Sequence, residues 1–295
     1  MPVIGDEIGL SIDRVVLATD FSPASEGATD YAKVIAKRFS SILTVANVVD
    51  LSVATRSEKA VVGLPIDDLH RTSGENLERL LNELTVEGVR VVAQSLEAHN
   101  PAAAIVGLSE QAHADLIVTG THSRRGLSKA ILGSCSEGII RHANRPVMTV
   151  GPKCKRAPKD RLLFSTILFA TDFHSDTREK AAVALAFARD SIAKIYLCHV
   201  LNGPGEDISE TLGLQLKFES ELQKLVPQSV YDCCSPESVV EIGEAAPRLL
   251  ELAKKVGANL IVLGAKRKSS WFADLNEGVV GQVLREAECP VMTIT

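Results

Sequence analysis

The apolar residues of this chain follow two alternating patterns, which are short runs of branched residues and longer stretches with helical spacing. Residues 15–19 form the first short run, and apolar residues at helical spacing follow from Ala28 to Phe39. A second run covers residues 42–49. Strand, helix and strand in this order predict a βαβ unit with two parallel strands.

The alternation continues through the first half of the chain. Helical spacing predicts helices over residues 67–87 and 101–113, and an apolar run predicts a third strand over 89–93. The stretch 114–150 then has the pattern of strand, loop, helix and strand. This half therefore predicts five strands alternating with helices, which is typical of a parallel α/β sheet.

The same pattern begins again at residue 166. TILFATDF at 166–173 matches RVVLATDF at 14–21, and residues 258–294 align with 114–150 without a gap, with 11 identities in 37 positions. Self-similarity at the length of a domain indicates a duplication. We predict that both copies share one fold.

The chain length of 295 residues suits two domains of ordinary size. We place domain 1 at residues 10–151 and domain 2 at residues 162–295. GPKCKRAPKDR, at 151–161, has two prolines and five basic residues. This composition is typical of a solvated linker.

Composition excludes several classes of protein. A hydrophobic content of 45% with 4% aromatic residues suits an aliphatic α/β core. The formal charge of -5 disfavours a general nucleic-acid surface, and no run approaches the roughly 18 apolar residues of a membrane span. The N-terminal residues lack a secretory pattern, so we expect a cytoplasmic protein with no membrane partner.

Glycines in the stretch 114–150 suggest a phosphate-binding loop. Gly120 ends a strand, and Gly133 with Ser134 opens a helix, whose first amides attract anions. Ligands of doubly wound sheets bind beyond the carboxyl ends of strands where the winding reverses. If strands 1 and 4 flank that reversal, Asp20 after strand 1 lies in the same crevice as this loop. The alternatives are that Asp20 makes a turn or a helix cap and that both glycines are ordinary loop residues.

ATDFSPAS after the first strand and ADLIVTGTHSRRGLSKAILGSCSEGIIRHANRPVMTV resemble the universal stress protein family. The resemblance covers nearly the whole chain as two tandem copies. It implies two Rossmann-like or flavodoxin-like domains, each a five-stranded parallel sheet of order 3-2-1-4-5 with helices on both faces. It also implies that the last strands of the two copies pair within one chain, as an intrachain pseudo-dimer. The last strands are likewise a candidate surface through which two chains form a homodimer.

Nucleotide-binding members of this family carry G-x-x-G, nine further residues, and then glycine followed by serine or threonine. The chain keeps this spacing but has serine at the second glycine. The resemblance implies that domain 1 binds ATP, and it leaves open whether Mg²⁺ or Mn²⁺ binds with the nucleotide. It also implies that Asp20 faces the ribose and the cation. It assigns the adenine to the backbone near Val48. The residues that it assigns to the phosphates are Gly120, His122, Ser123, Gly133 and Ser134.

Domain 2 departs from the nucleotide-binding pattern. It keeps Gly264, but Arg267 stands at the position of Ser123, and Glu277 and Gly278 stand at the positions of Gly133 and Ser134. A carboxylate at the helix entrance repels a triphosphate. We therefore expect no ATP in domain 2.

The resemblance implies a sensor or regulator of the stress response with unidentified protein partners. Hydrolysis of ATP is expected to be slow at most, because the loop lacks the G-K-[S/T] ending of a P-loop and His122 lacks a visible orienting carboxylate. One alternative is an interaction module of the same fold that binds no nucleotide. A hydride-transferring enzyme is disfavoured, since no G-x-G-x-x-G follows either first strand.

Zinc binding in domain 2 is the third alternative. Histidine and cysteine are suitable zinc ligands, but their spacing here is irregular and no C-x-x-C occurs, which disfavours zinc. The candidate ligands are His174, Cys198, His199, Cys233 and Cys234.

Overall fold

A computed structural model of the chain describes residues 10–52, 66–121, 133–157, 164–203, 208–264 and 278–295. The described residues divide into two compact units, Ile12–Pro152 and Lys153–Ile294. We call them unit 1 and unit 2. Within the described ranges, no helix combines the length and the apolar character that a membrane span requires.

Unit 1 alternates strands and helices as the hydrophobic pattern predicts. Its described elements are β1 (Arg14–Ala18), α1 (Pro23–Phe39), β2 (Ile42–Asp50), α2 (Ile66–Val86), β3 (Arg90–Ala98), α3 (Pro101–Gln111), β4 (Leu116–Gly120), α4 (Ser134–His142) and β5 (Val147–Val150). The strands pair in parallel in the order β3-β2-β1-β4-β5.

Unit 2 repeats this architecture. Its described elements are β6 (Thr166–Ala170), α5 (Thr177–Ser191), β7 (Lys194–Leu201), α6 (Ile208–Gln223), the single turn α7 (Gln228–Tyr231), β8 (Ser235–Ile242), α8 (Ala245–Val256), β9 (Leu260–Gly264), α9 (Val279–Glu286) and β10 (Val291–Ile294). Its strands are parallel in the order β8-β7-β6-β9-β10. The predicted α/β fold class and the tandem duplication are therefore confirmed. The predicted pairing of the two last strands stays a prediction.

The central strands are buried on both sides. Val15, Val16 and Leu17 of β1 are at most 1% exposed, so the strand is a continuous apolar run with no alternation. Right-handed crossovers require α1 and α2 on one face of the sheet and α3 and α4 on the other, and α3 contacts α4. The carboxyl ends of β1 and β4 therefore lie where the winding reverses.

Strand β3 is longer than the sequence predicts. The prediction covered residues 89–93, whereas β3 extends over Arg90–Ala98 and pairs with the whole of β2. Exposed and half-buried residues alternate along it, because an edge strand has a more solvated face. The polar residues Gln94 and Ser95 end the apolar run but not the strand, since backbone pairing with β2 continues past them.

The described part of the basic linker from Lys153 onward belongs to unit 2. Lys153 forms an ion pair with Glu286, and Lys155 forms one with Glu288 at 2.7 Å. The Lys155 side chain is 77% exposed. Such exposed ion pairs contribute little to stability, so these lysines keep the solvated character that the composition predicts.

The packing of α4 on α3 depends on a glycine. A Cβ at Gly138 would lie 2.5 Å from the Cβ of Ala102, so Gly138→Ala forces the two helices apart. We expect unit 1 to lose about 1–3 kcal/mol of its free energy of unfolding through this overpacking. Urea unfolding monitored by circular dichroism measures the loss.

Gly107→Ala in α3 is the matched control, because nothing lies within 4 Å of the Cβ that it adds. We expect this control to stabilise the helix by about 0.5–1 kcal/mol, the usual difference between alanine and glycine. Equal midpoints for Gly138→Ala and the wild type would show that α4 does not pack closely on α3.

Candidate functional site

The carboxyl ends of β1 and β4 lie side by side in unit 1. The two strands pair in parallel, with Ala18 opposite Thr119, so Asp20 and Gly120 both follow at the same edge of the sheet. The structure therefore brings these two predicted residues to the point of reversed winding, where ligands of such sheets bind.

A buried threonine organises the turn that carries Asp20. The Oγ1 of Thr19 donates to the Oγ of Ser25 at 3.0 Å and accepts the amide hydrogen of Phe21 at 3.1 Å. Phe21 has a φ of 59°, a left-handed conformation that costs energy for a residue with a Cβ. The hydroxyl contacts hold this turn so that α1 begins three residues after Asp20.

Asp20 is exposed, and part of its side chain contributes to the turn. Its Oδ1 accepts the amide hydrogen of Ser22 at 3.0 Å. The N-cap residue of α1 is Ser22. Of the two alternatives for Asp20, a turn residue or a helix cap, the structure therefore agrees with the turn residue. A carboxylate that spans a turn in this way is held at a defined position.

Asn47 is a site residue that sequence reasoning missed. It is buried in β2, where its Nδ2 donates to the carbonyl oxygen of Thr19 at 2.8 Å and its Oδ1 accepts the hydroxyl hydrogen of Ser73 at 2.5 Å. The available signal was a single amide within the apolar run VANVV, because a buried polar group needs partners. Asn47 ties the turn after β1 to β2 and α2.

Val48 lies at the same edge as Asp20. It is half-buried in β2, two residues beyond Ala46, which is the partner of the last residue of β1. The backbone of β2 at Val48 therefore extends past the end of β1, next to the crevice.

Gly133 and Ser134 open helix α4 as the sequence predicts. Gly133 is the N-cap residue with φ −63° and ψ 141°, and Ser134 is the exposed first residue of the helix. The Oγ of Ser136, in the first turn, donates to the carbonyl oxygen of Gly120 at 2.6 Å. This hydrogen bond joins the helix N-terminus to the end of β4, so Gly120, Gly133 and Ser134 lie together. His122 and Ser123 lie outside the described residues.

Acidic side chains face the start of α4. Burial, followed by the carboxylates of Asp20 and Asp50, raises the pKa of the Cys135 thiol to about 11. A helix N-terminus ordinarily lowers the pKa of a thiol. At Cys135 burial is the largest cause of the opposite direction, and the carboxylates of Asp20 and Asp50 are close enough to add to it.

Unit 2 keeps the turn but changes the polar group behind it. The hydroxyls of Thr171 and Thr177 are 3.0 Å apart, and Phe173 donates its amide hydrogen to Thr171 Oγ1 at 3.0 Å with a φ of 57°. His199 takes the place of Asn47, since its Nδ1 lies 2.8 Å from the carbonyl oxygen of Thr171. A carbonyl oxygen only accepts, so Nδ1 carries the hydrogen. The His199 ring packs against Phe218, with 4.3 Å between ring centroids.

A cavity of about 420 Å³ lies at the carboxyl edge of β6, β7 and β9. It occupies the position in unit 2 that corresponds to the crevice of unit 1, and Asp172, Val200, Gly264 and Gly278 line it. These residues correspond in sequence to Asp20, Val48, Gly120 and Ser134.

Lys180 changes the chemistry of this cavity. It is 6% exposed and pairs with Asp176 at 2.8 Å between Nζ and Oδ2. Its aliphatic chain lies against Gly264, where an added Cβ would be 3.0 Å from the Lys180 Cδ. Unit 1 has the small, fully buried Ala28 at the corresponding position. The space beside the end of β9 is therefore filled by a lysine side chain.

The candidate zinc ligands of unit 2 have other partners. His174 pairs with Asp172 at 2.7 Å, and His199 bonds the Thr171 carbonyl oxygen. In the part of the chain that the structure describes, no three histidine, cysteine, aspartate or glutamate side chains are grouped so that they could hold a metal ion.

Comparison with known proteins agrees with this architecture. The family model described as universal stress protein family matches residues 11–151 and 163–295. A universal stress protein of Methanocaldococcus jannaschii is 34% identical over 145 residues, which cover 46% of this chain and 81% of that protein. A putative universal stress protein of Staphylococcus epidermidis is 33% identical over 153 residues, which cover 51% of this chain and 90% of that protein.

Solved structures resemble the chain over nearly its whole length. A universal stress protein from Archaeoglobus fulgidus has a TM-score of 0.70 at 19% identity, with 97% of each chain covered. A putative universal stress protein from Pseudomonas aeruginosa has a TM-score of 0.63 at 19% identity, with 96% of this chain and 93% of that chain covered. At this identity the likeness supports the fold alone. With a family match to each half and relatives above 30% identity, the chain belongs to the universal stress protein family as a tandem two-domain member.

Proposed function

We propose that the first domain, residues 10–151, binds ATP and that the protein acts as a nucleotide-dependent sensor or regulator of the stress response in the cytoplasm. The hydrogen bond from Ser136 to the Gly120 carbonyl oxygen carries this proposal, because it brings both ends of the loop motif into one place. The anion-attracting start of α4 thereby lies beside the crevice at the reversal of winding.

Each predicted residue has a role in this proposal. The phosphates contact the backbone at Gly120 and Gly133, the Ser134 hydroxyl and, outside the described residues, His122 and Ser123. The adenine lies along the backbone near Val48, and Asp20 faces the ribose and a cation. Support comes from the shared edge of Asp20, Val48 and Gly120.

A divalent cation fits the charge of this crevice. The carboxylates of Asp20 and Asp50 act on the same space as Cys135, so a bare polyphosphate would meet negative charge there. Mg²⁺ or Mn²⁺ offsets this repulsion, since carboxylate and phosphate oxygens are the ligands that such hard cations prefer. We therefore propose that ATP binds together with the cation.

Hydrolysis is slow at most in this proposal. The loop has no G-K-[S/T] ending, so it lacks the lysine that stabilises the transferred phosphoryl group in P-loop proteins. The protein then responds to the bound nucleotide and does not turn it over rapidly. The nucleotide-bound protein then regulates protein partners that are unidentified.

One ATP per chain is the expected stoichiometry. Lys180 fills the space beside Gly264 in the second domain, residues 162–295, and Glu277 adds a carboxylate where the first domain has Gly133. Glu277 lies outside the described residues, and we expect both changes to oppose a triphosphate in domain 2. The alternative of an interaction module without nucleotide predicts no ATP at all, and serine at position 123 favours it.

Gly133→Asp tests the proposed phosphate site. Aspartate is a preferred N-cap residue and Gly133 has an ordinary extended conformation, so the fold is retained while a carboxylate is added at the phosphates. We expect the affinity for Mg²⁺–ATP to fall about tenfold or more through charge repulsion. Isothermal titration calorimetry measures the affinity and the stoichiometry.

Gly278→Asp is the matched control, because Gly278 is the N-cap of α9 in unit 2 with a φ of −70°. We expect it to leave ATP affinity unchanged. Equal losses in both variants would contradict a site confined to domain 1. A wild-type protein that binds no ATP would favour the interaction module.

Asp20→Asn tests whether this carboxylate faces the start of α4. The Asp20 charge raises the pKa of Cys135, so its removal lowers that pKa and increases the thiolate fraction below pH 11. We expect iodoacetamide to alkylate Cys135 about two- to fivefold faster at pH 8.5. Peptide mass spectrometry measures the rate.

Asp30→Asn is the control, since Asp30 lies on α1 and contacts Lys33 at 3.7 Å. Its rate should match the wild type, and bound Mg²⁺–ATP should slow alkylation in the wild type. An unchanged rate in Asp20→Asn would remove the electrostatic link on which the proposed cation position depends.

A further inference from the structure

Two adjacent cysteines of unit 2 have their sulfur atoms in contact. The Sγ atoms of Cys233 and Cys234 are 3.4 Å apart, and both residues are reduced. They stand between helix α7 and the first residue of strand β8. The proposed nucleotide site does not use them.

The backbone holds this pair in place. The amides of Cys233 and Cys234 both donate to the carbonyl oxygen of Val230, at 3.3 and 2.8 Å. Ser235 follows at once in β8 and pairs with Lys194 of β7. Hydrogen bonds and strand pairing therefore hold the backbone on both sides of the pair.

The two thiols differ in access. Cys233 is half-buried and its thiol lies 3.7 Å from the Val230 carbonyl oxygen, whereas Cys234 is 8% exposed. Burial, followed by the neighbouring Cys233, raises the pKa of Cys234 to about 12. A reagent therefore reaches the Cys233 thiol first, and the Cys234 thiol is the more buried of the two.

The sulfur separation decides which chemistry fits. A disulfide requires a sulfur–sulfur distance of about 2.05 Å, so these atoms would have to approach by about 1.4 Å. A single bridging atom with two bonds of about 2.3 Å to sulfur spans 3.4 Å at an angle of roughly 95°. This angle is close to that of a pyramidal trivalent centre.

Zinc does not fit the same pair. A structural zinc ion takes four ligands in tetrahedral geometry, and within the described residues no third histidine, cysteine or carboxylate completes a group with these thiols. A trivalent metalloid that brings its own third substituent needs only two thiols. The pair supplies that number.

We propose that Cys233 and Cys234 form a binding site for monosubstituted trivalent arsenicals. The arsenical R–As(OH)₂ loses two hydroxide groups, each thiol loses its proton, and two As–S bonds replace two As–O bonds. The products are the cyclic dithioarsenite and two molecules of water. Arsenic stays trivalent throughout, so no oxidant or reductant is needed.

Chelation explains why this pair is preferred over single thiols. After Cys233 has bonded to arsenic, the second bond forms within one molecule, at the high effective concentration of a neighbouring group. Cys135 is half-buried and offers the reagent one thiol, and the half-buried Cys154 has the buried thiol of Cys289 as a neighbour. A single As–S bond exchanges readily with competing thiols, whereas the ring resists exchange.

Phenylarsine oxide is the probe, applied in equimolar amount to the reduced full-length protein. We expect one adduct in the intact mass spectrum, equal to the reagent minus one water because this oxide has already lost one. The adduct should persist in excess glutathione and be removed by 2,3-dimercaptopropanol. N-ethylmaleimide should then fail to label Cys233 and Cys234 while it still labels Cys154.

Cys233→Ser and Cys234→Ala should each lower the retention of the adduct in glutathione roughly tenfold or more, because only one As–S bond is left. Cys154→Ser and Cys135→Ser are matched controls that should retain it. Circular dichroism verifies the fold, and Cys233→Ser, at the more exposed position, keeps the test valid if Cys234→Ala does not fold. Retention in Cys233→Ser, or no stable adduct in the wild type, would overturn the proposal. The ATP titrations report on a separate site.

Discussion

A threonine hydroxyl at the carboxyl end of the first strand is the contact on which the functional edge of each unit depends. Thr19 bonds the Ser25 hydroxyl and the Phe21 amide, and Thr171 makes the corresponding contacts in unit 2. The bond between Thr19 and Ser25 is buried and the other three are partly buried, and a buried polar group that loses its partner costs about 1–3 kcal/mol. They hold a phenylalanine at positive φ, and the aspartate between the threonine and this phenylalanine thereby lies at the edge of the sheet.

The two units have kept this contact and diverged around it. A polar group on the second strand donates to the threonine carbonyl oxygen in both, but it is a buried amide at Asn47 and a half-buried imidazole at His199. The exchange preserves the donor and changes the neighbours, since Ser73 bonds Asn47 whereas Phe218 packs on His199. Duplication has thus produced one scaffold with two chemically different pockets.

Charge inside the pockets follows the same division. In unit 1 a small alanine, Ala28, lies beneath the crevice, and the open helix N-terminus carries the attraction for anions. In unit 2 the ammonium of Lys180 is buried against Gly264, and Asp176 neutralises it. The buried Lys180 side chain occupies volume, and its charge is paired by the more exposed Asp176, so we expect little room for a large anion at this edge. The two edges therefore differ by single replacements on the same strand order.

Hydrophobic periodicity determined the order of elements and the parallel sheet, and matching residues in the two halves determined the duplication, because both are local patterns along the chain. The glycine spacing likewise indicated that Gly120, Gly133 and Ser134 belong together. The length of β3 depended on pairing with β2, and the roles of Asn47 and Lys180 depended on partners distant in sequence. Cys233 and Cys234 were candidate zinc ligands in the sequence, and only the 3.4 Å between their sulfur atoms made them a two-thiol site. Contacts across strands and helices decide such features, since the sequence records which groups are present and the fold decides which of them meet.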